Sequence, residues 1–260
     1  MNVMVYAIEA LCLGIFMVVA TLATTAFELP ASPLHQAIGD PLIRRLLMGI
    51  IIGTTAITII YSPWGKRSGA HLNPSVTLTF WRLKKIRTID ATFYILCQCL
   101  GGICGIWVAG VLIGKTIADP AVNYIVTVPG MAGESGAFGA EFLLSFGLMT
   151  LVLQVSNRPH LSQLTGLFCG VLVAIYITLA APLSGMSMNP ARSLASALPA
   201  GVWHGFWIYC IAPPLGMQLA AEIYLRSGQR KVQRQICSKL CPNHTTECIS
   251  PICCQTINSQ

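Results

Sequence analysis

Charged residues are scarce in this chain. Asp, Glu, Lys and Arg make up 10% of its 260 residues and apolar residues 54%, with a mean hydropathy of +0.68. A soluble domain carries about a quarter charged residues, so the composition excludes a soluble enzyme and indicates an integral membrane protein. The chain also lacks a Ser/His/Asp or metal-ligand constellation outside its apolar segments. We therefore expect no enzymatic activity, no cofactor and no metal site.

Six apolar runs are long enough to cross a bilayer as helices, which needs about 20 residues. They cover residues 5–25, 42–61, 91–114, 138–155, 164–181 and 203–225. Strands of a membrane barrel would be shorter and would alternate in polarity, so an all-α membrane protein is predicted. The first run lacks a basic leader and contains Glu9, which favours a mature helix over a signal peptide.

The net charge of +7 is explained by its placement. With a cytoplasmic N-terminus, six helices put twelve Lys and Arg residues inside: Lys66, Arg67, Arg82, Lys84, Lys85, Arg87, Arg158, Arg226, Arg230, Lys231, Arg234 and Lys239. Only Arg44, Arg45, Lys115 and Arg192 fall outside. This positive-inside bias predicts a multi-pass protein of the cell membrane with both termini in the cytoplasm. No nucleic-acid partner is needed to explain the charge.

Eleven cysteines fall into two groups. Six lie in the apolar runs, where a thiol behaves as a small hydrophobe: Cys12, Cys97, Cys99, Cys104, Cys169 and Cys210. Five lie in the polar C-terminal tail: Cys237, Cys241, Cys248, Cys253 and Cys254. With His244 the tail cysteines could hold a metal, although their spacing is not that of a standard zinc site. Acylation and a disordered tail without a fixed role are the alternatives.

An internal repeat organises the chain. Ser-Gly, three residues and Asn-Pro occur twice, as SGAHLNPSVTL around Asn73-Pro74-Ser75 and as SGMSMNPARSL around Asn189-Pro190-Ala191. Each half also opens with an acid in an apolar run, Glu9 or Glu141. Because each half has three spans, the second must enter the membrane from the opposite side, which gives an inverted repeat.

The repeat sets the predicted boundaries. Residues 1–118 form the first half, 119–135 the connecting loop, 136–226 the second half and 227–260 a Cys-rich cytoplasmic tail that we expect to be poorly ordered.

Each Asn-Pro predicts the start of a half-helix. Asparagine is a favoured N-cap, and proline is favoured at the first helical position. The apolar stretch after each motif lasts about eight residues, or about 12 Å of helix, near half the thickness of a bilayer core. Each half-helix dipole would put a positive end at the membrane centre, and we expect each Asn to keep its NH₂ free for the lumen. One copy would indicate an ordinary helix start, but the symmetric pair favours a pore.

On these motifs, with AEFLLSF and SMNPARS, residues 6–226 resemble the aquaporin / major intrinsic protein family. The resemblance implies six transmembrane helices, two re-entrant half-helices, and a homotetramer in which every protomer has its own pore. It assigns Glu9 and Glu141 to hydrogen bonds that hold the pore loops, although a buried acid also suits a proton relay. His71 is assigned to the same supporting role. Ser75 replaces the family's usual Ala, a change between two small residues.

The resemblance also implies a selectivity filter. Arg192 would lie in the outer constriction, with lipid phosphate as its alternative partner. Counting from the two motifs gives Gly53, Ile177 and Met186 as the other positions. Water-selective members usually have Phe and His at the first two, so a wider and less polar filter is expected. Gly53 also forms a G-x-x-x-G pair with Gly49, which suits close helix packing.

The functional prediction is a passive channel for water and small neutral solutes of the glycerol, urea and ammonia class. The motif stretches resemble the plant nodulin-type branch, whose members pass such solutes. The first alternative is a strictly water-selective aquaporin. Others are an ion-coupled secondary transporter, for which the chain offers no acidic cluster, and a scaffold with a closed pore.

Overall fold

The structure is a computed structural model that describes residues 3–158 and 160–227. The described residues form ten α-helices: α1 Val3–Glu28, α2 Pro33–Ala37, α3 Pro41–Tyr61, α4 Pro63–Ser68, α5 Pro74–Arg82, α6 Thr88–Ile113, α7 Gly133–Ser156, α8 Thr165–Ser184, α9 Pro190–Ala200 and α10 Phe206–Arg226. Short 3-10 helices at Gly114–Ala118, Asn123–Ile125 and Ser162–Leu164 complete the described secondary structure. The fold is all-α, as predicted. The predicted Cys-rich tail, apart from Ser227, lies outside the described residues.

The six predicted spans correspond to the six long helices. Five of these, α1, α3, α6, α7 and α8, are long and apolar enough to cross a membrane by length and composition. The sixth, α10, has 21 residues but is less apolar, since its sequence includes Pro213, Pro214 and Glu222. The outward faces carry large apolar side chains, such as Trp107 at 72% and Leu179 at 65% exposure. In water such surfaces would be costly to expose, so lipid is their natural solvent.

The two half-helices are α5 and α9, each bounded as the Asn-Pro motifs predict. Asn73 is extended (φ −152°, ψ 123°) and its side chain accepts from Ser75 N–H, so α5 begins at Pro74. Asn189 caps α9 in the same way by accepting from Ala191 and Arg192 N–H. At about 1.5 Å per residue, the nine residues of α5 span about 14 Å, and neither half-helix crosses a bilayer alone.

The two halves of the chain interlock. The long helices pack as three main pairs, α1 with α6, α3 with α8, and α7 with α10. The half-helix α5 packs on α10 from the second half, whereas α9 packs on α6 from the first. Each half therefore supplies walls for the other's half-helix, and the two Asn-Pro tips meet in the middle of the bundle. This is the predicted fold of six helices and two re-entrant half-helices.

Two features of the fold were not predicted. Helix α3 ends at Tyr61, and after the extended Ser62 the chain begins a separate short helix, α4. The Ser62 side chain caps α4 by accepting from Gly65 N–H. Between α1 and α3, α2 forms in the loop, where His35 Nδ1 lies 2.9 Å from Phe27 O.

Candidate pore

Each loop that precedes an Asn-Pro motif is bound to a buried carboxylate. Glu9 Oε1 accepts from Ser68 Oγ at 2.7 Å and from His71 N–H at 3.0 Å, while Oε2 accepts from Leu72 N–H at 2.8 Å. In α6, Gln98 Nε2 also donates to Glu9 Oε2 at 2.8 Å. An ionised carboxylate is an acceptor on all its lone pairs, which suits it to loop backbone that points several N–H groups the same way.

Glu141 repeats this pattern in the second half. It accepts from Ser184 Oγ at 2.7 Å, from Ser187 N–H at 2.9 Å and from Met188 N–H at 2.6 Å. Both Glu9 and Glu141 have no exposed surface. Two tyrosines extend the correspondence, since Tyr94 OH donates to Ser68 O and Tyr209 OH donates to Ser184 O, each at 2.6 Å. The motif comparison missed this tyrosine pair, although extending the repeat into α6 and α10 would have found it.

Four non-glycine residues of the loops have left-handed backbone. Ala70 (φ 49°) and Leu72 (φ 52°) in the first loop correspond to Met186 (φ 47°) and Met188 (φ 53°) in the second. Such angles are uncommon for bulky residues and are a mark of functional strain. In each loop the N–H groups of two successive residues reach the same carboxylate, while the carbonyl of the second residue accepts from the asparagine of the other loop.

The two asparagines bind each other's loops. Asn73 Nδ2 donates to Met188 O and Asn189 Nδ2 donates to Leu72 O, each at 2.7 Å. The expectation that each NH₂ is wholly free for the lumen is therefore wrong, because one of its two N–H bonds holds the opposite loop. The second N–H of each amide is left for a molecule in the cavity.

A cavity of about 180 Å³ runs past both asparagines. Its lining is mainly apolar, with Asn73, Asn189, His71 and Arg192 among the polar contributors. None of the described residues that line it is Asp or Glu. His71 is 3% exposed; its ring stacks on Phe80, and Nδ1 lies 3.1 Å from Thr77 Oγ1. Ser75 is fully buried beside Asn73 and does not line the cavity.

Three of the four predicted filter residues lie together on this cavity. Ile177, Met186 and Arg192 all line it. Arg192 Nη1 is buried and has no hydrogen-bond partner among the described residues. The next residue, Ser193, contacts two other hydroxyl groups: its Oγ lies 2.6 Å from Ser187 Oγ and 2.7 Å from Thr127 Oγ1 of the connecting segment. No motif in the sequence pointed to Thr127.

The fourth predicted filter residue, Gly53, is corrected by the structure. Gly53 lies at the crossing of α3 and α8, where an added Cβ would come within 2.4 Å of Gly170 O. It borders a groove on the outside of the bundle, whereas Ile52 lines the central cavity. One residue rotates a helix by about 100°, and the count from Asn73 crosses the break at Ser62. Gly49 packs in the same way against Ala174 O, so the G-x-x-x-G interpretation fits both glycines.

The part of the chain that the structure describes holds no group of three or more His, Cys, Asp or Glu residues that could bind a metal. The five tail cysteines and His244 lie outside that part, so the metal, acylation and disorder alternatives for the tail stay predictions. Among the described residues, the six cysteines of the apolar helices form no disulfide.

Comparison with known proteins agrees with this architecture. The chain is 37% identical over 171 residues to Aquaporin NIP3-1 from Oryza sativa subsp. japonica, which covers 65% of this chain and 53% of the relative. It is 35% identical over 170 residues to Aquaporin NIP6-1 from Arabidopsis thaliana, covering 65% and 54%. Aquaporin-4 from Bos taurus is 32% identical over 187 residues, covering 70% and 56%. The chain thus spans about half the length of the curated relatives it matches.

Among solved structures, the aquaglyceroporin from Plasmodium falciparum has a similar fold. It superposes with a TM-score of 0.73 over 89% of this chain and 99% of that chain, at 22% sequence identity. A profile of the family described as Major intrinsic protein matches residues 4–224, which include both Asn-Pro half-helices and, apart from the first residue of α1 and the last two of α10, all six long helices. The chain therefore belongs to the major intrinsic protein family.

Proposed function

We propose that this protein is a passive transmembrane channel for water and small neutral solutes of the glycerol, urea and ammonia class, and not an enzyme. The observation that carries the proposal is the cavity between the two Asn-Pro tips, where Asn73, Asn189 and Arg192 offer hydrogen-bond donors in a mainly apolar lining. A neutral molecule with lone pairs can accept from these groups in sequence. The proposed constriction consists of Ile52, Ile177, Met186 and Arg192.

The exclusion of ions follows from the same groups. Both half-helix N-termini direct positive dipole ends to the bundle centre, and Arg192 adds a fixed charge. A cation would lose its hydration in an apolar cavity without an acidic partner, which is costly. Protons meet the same positive potential, and pore electrostatics of this kind are a general means of selectivity.

An ion-coupled transporter is the less favoured alternative. Coupling needs a titratable or ion-coordinating group on the transport path. Glu9 and Glu141 are both bound to loop N–H groups, and neither lines the cavity. We therefore propose that both acids, with His71, support the pore loops and do not relay protons.

A strictly water-selective channel is favoured by one observation. The expected width of the filter rested on glycine at its first position, but the residue lining the cavity there is Ile52. A branched side chain beside the long Met186 narrows the opening. The prediction of solute transport is therefore no longer supported by the width of the constriction. It is supported by the apolar character that Ile52, Ile177 and Met186 give to the constriction.

Stopped-flow light scattering on proteoliposomes tests the proposal. Vesicles that contain the protein should shrink fast in an impermeant sugar, and should shrink and then re-swell in glycerol or urea. Water flow without solute re-swelling would establish the water-selective alternative. Solute uptake that depends on an imposed pH or Na⁺ gradient would overturn the passive channel.

The proposal extends to location and assembly. We infer a multi-pass protein of the cell membrane with both termini in the cytoplasm, since the Lys and Arg residues divide twelve to four across the spans. The division into repeats 1–118 and 136–226, joined by 119–135, is supported by the matching bonds of Glu9 and Glu141. A homotetramer with one pore in each protomer completes the proposal, with no nucleic-acid partner.

A further inference from the structure

Helix α8 carries a proline close to the constriction. Pro182 lies inside α8, which continues to Ser184. Proline has no backbone N–H, so it cannot donate to the carbonyl four residues earlier. That carbonyl belongs to Thr178, the residue directly after Ile177. The Thr178 carbonyl, next to Ile177 of the proposed constriction, therefore cannot accept the usual helical hydrogen bond from residue 182.

A side chain from the other half of the chain donates to this acceptor. Arg45 Nε, from the second turn of α3, donates to Thr178 O at 3.3 Å. A hydrogen bond from a charged guanidinium to a carbonyl is stronger than one between neutral groups. The neighbouring Arg44 binds different acceptors: its Nη1 donates to Ile38 O and Gly39 O in the preceding loop.

The end of α8 is bonded from a second direction. Gly130 N–H donates to Leu183 O at 3.0 Å, and Met131 N–H lies 3.4 Å from Pro182 O. Both donors belong to the segment that connects the two repeats. The C-terminal end of α8 lies between Ile177 and Met186, two residues that line the cavity. It is thus held on one side by Arg45 and on the other by the connecting segment.

We infer that Arg45 is a positioning residue for the constriction: it satisfies the Thr178 carbonyl that Pro182 leaves without its helical donor, and so fixes the wall that carries Ile177. It acts through Ile177 and contacts no solute itself. This inference rests on the proposed function for its effect on transport, but the local claim about α8 stands on the Arg45–Thr178 contact alone.

A double-mutant cycle between Arg45 and Pro182 tests the inference. In Arg45→Leu, backbone amides at 174–186 should exchange hydrogen about fivefold faster, the factor that corresponds to one net hydrogen bond. The ratio of urea to glycerol permeability should move toward one by about the same factor, because a wall that is free to shift discriminates less by size.

Pro182→Ala restores an N–H to Thr178 O. In that background the Arg45→Leu change should alter both readouts by less than about twofold.

Two further variants serve as controls. Arg45→Lys keeps a donor and a positive charge and should recover most of the wild-type exchange and selectivity. Lys115→Leu removes an exposed cation from the 3-10 helix Gly114–Ala118 and should change neither readout.

An equal effect of Arg45→Leu in both backgrounds, or no faster exchange in 174–186, would overturn the inference. Wild-type vesicles that pass neither water nor solute would instead refute the proposed function. Hydrogen exchange measured over the same double-mutant cycle would still decide the role of Arg45.

Discussion

At the scale of single residues, the pore loops hold strained backbone in place with buried polar bonds. Leu72 and Met188 have positive φ, which costs of order 1–3 kcal/mol at each residue. Each of the two is bonded at both of its peptide groups. Its N–H donates to Glu9 or Glu141, and its carbonyl accepts from the asparagine of the other loop. Hydrogen bonds to a charged group contribute about 1.5–3 kcal/mol each, enough to offset the strain.

Two serines of the first motif should respond differently to the loss of their hydroxyl groups. Ser68 Oγ donates to Glu9 and accepts from Ala70 N–H, whereas Ser75 Oγ is buried without a hydrogen-bond partner in the part of the chain that the structure describes. We expect Ser68→Ala to lower the free energy of unfolding by ~1–3 kcal/mol, because it leaves a buried carboxylate and an N–H short of partners. Ser75→Ala should not lower it and should keep water permeability. Thermal unfolding in detergent and vesicle shrinkage measure both; a destabilised Ser75→Ala would show that its hydroxyl is bonded.

Adjacent residues of α3 should separate the filter from helix packing. Ile52→Phe puts a larger ring in the cavity and should reduce glycerol permeability about tenfold, the order expected for a steric mismatch in an apolar site, with thermal stability unchanged. Gly53→Ala should instead destabilise the protein by ~1–3 kcal/mol, because its Cβ would lie 2.4 Å from Gly170 O. Glycerol re-swelling and thermal unfolding are measured for both. A glycerol defect in Gly53→Ala without loss of stability would return the filter position to Gly53.

At the scale of elements, the half-helices were predictable because their signals are local. Asn as N-cap and Pro at the first position act on the next few residues only, and α5 and α9 begin where these motifs put them. The residue of α3 that lines the cavity was not predictable by counting. Ser62 breaks the helix between Gly53 and Asn73, and a register cannot be carried through a break whose geometry the sequence does not specify.

Long-range partners were the other part that the sequence did not reveal. The hydrogen bonds from the side-chain amides of Asn73 and Asn189 to the opposite loop join residues far apart in the chain. The hydrogen bond from Arg45 to α8 does the same. Nothing in the local pattern distinguishes Arg45 from Arg44. Only the packing of α3 on α8 decides which of the two reaches Thr178.

A test at Glu141 should decide between support and proton relay. Glu141→Gln keeps one acceptor but replaces the other with an NH₂ that faces donors from the loop. We expect the bonds to Met188 or to Ser184 and Ser187 to be lost, with a fall in thermal stability and in water permeability. The residual flux should not depend on an imposed pH gradient, as stopped-flow traces at matched and unmatched pH would show. Wild-type flux driven by the gradient and abolished in Glu141→Gln would indicate a relay.

At the scale of the whole molecule, one chain encloses the complete cavity. The walls come from both halves, from α1 and α3 on one side to α7 and α8 on the other, and no second protomer is needed to close it. The outer surface is different, since α3 and α8 border an apolar groove lined by Leu46, Ile50 and Val171. In the proposed channel, transport uses the interior of a single chain, and the proposed tetramer would assemble through the outer surface.

This separation predicts how mixed assemblies should behave. If wild-type and Ile52→Phe subunits are co-expressed at known ratios, each pore works with its own lining residues, so glycerol permeability should fall in direct proportion to the fraction of variant subunits. A shared pore on the axis of a tetramer would instead be blocked by a single variant, and the permeability would fall with about the fourth power of the wild-type fraction. Native mass spectrometry of the same samples gives the subunit number and the mixing ratio. Purely monomeric particles with full permeability would refute the proposed tetramer but not the pore within each chain.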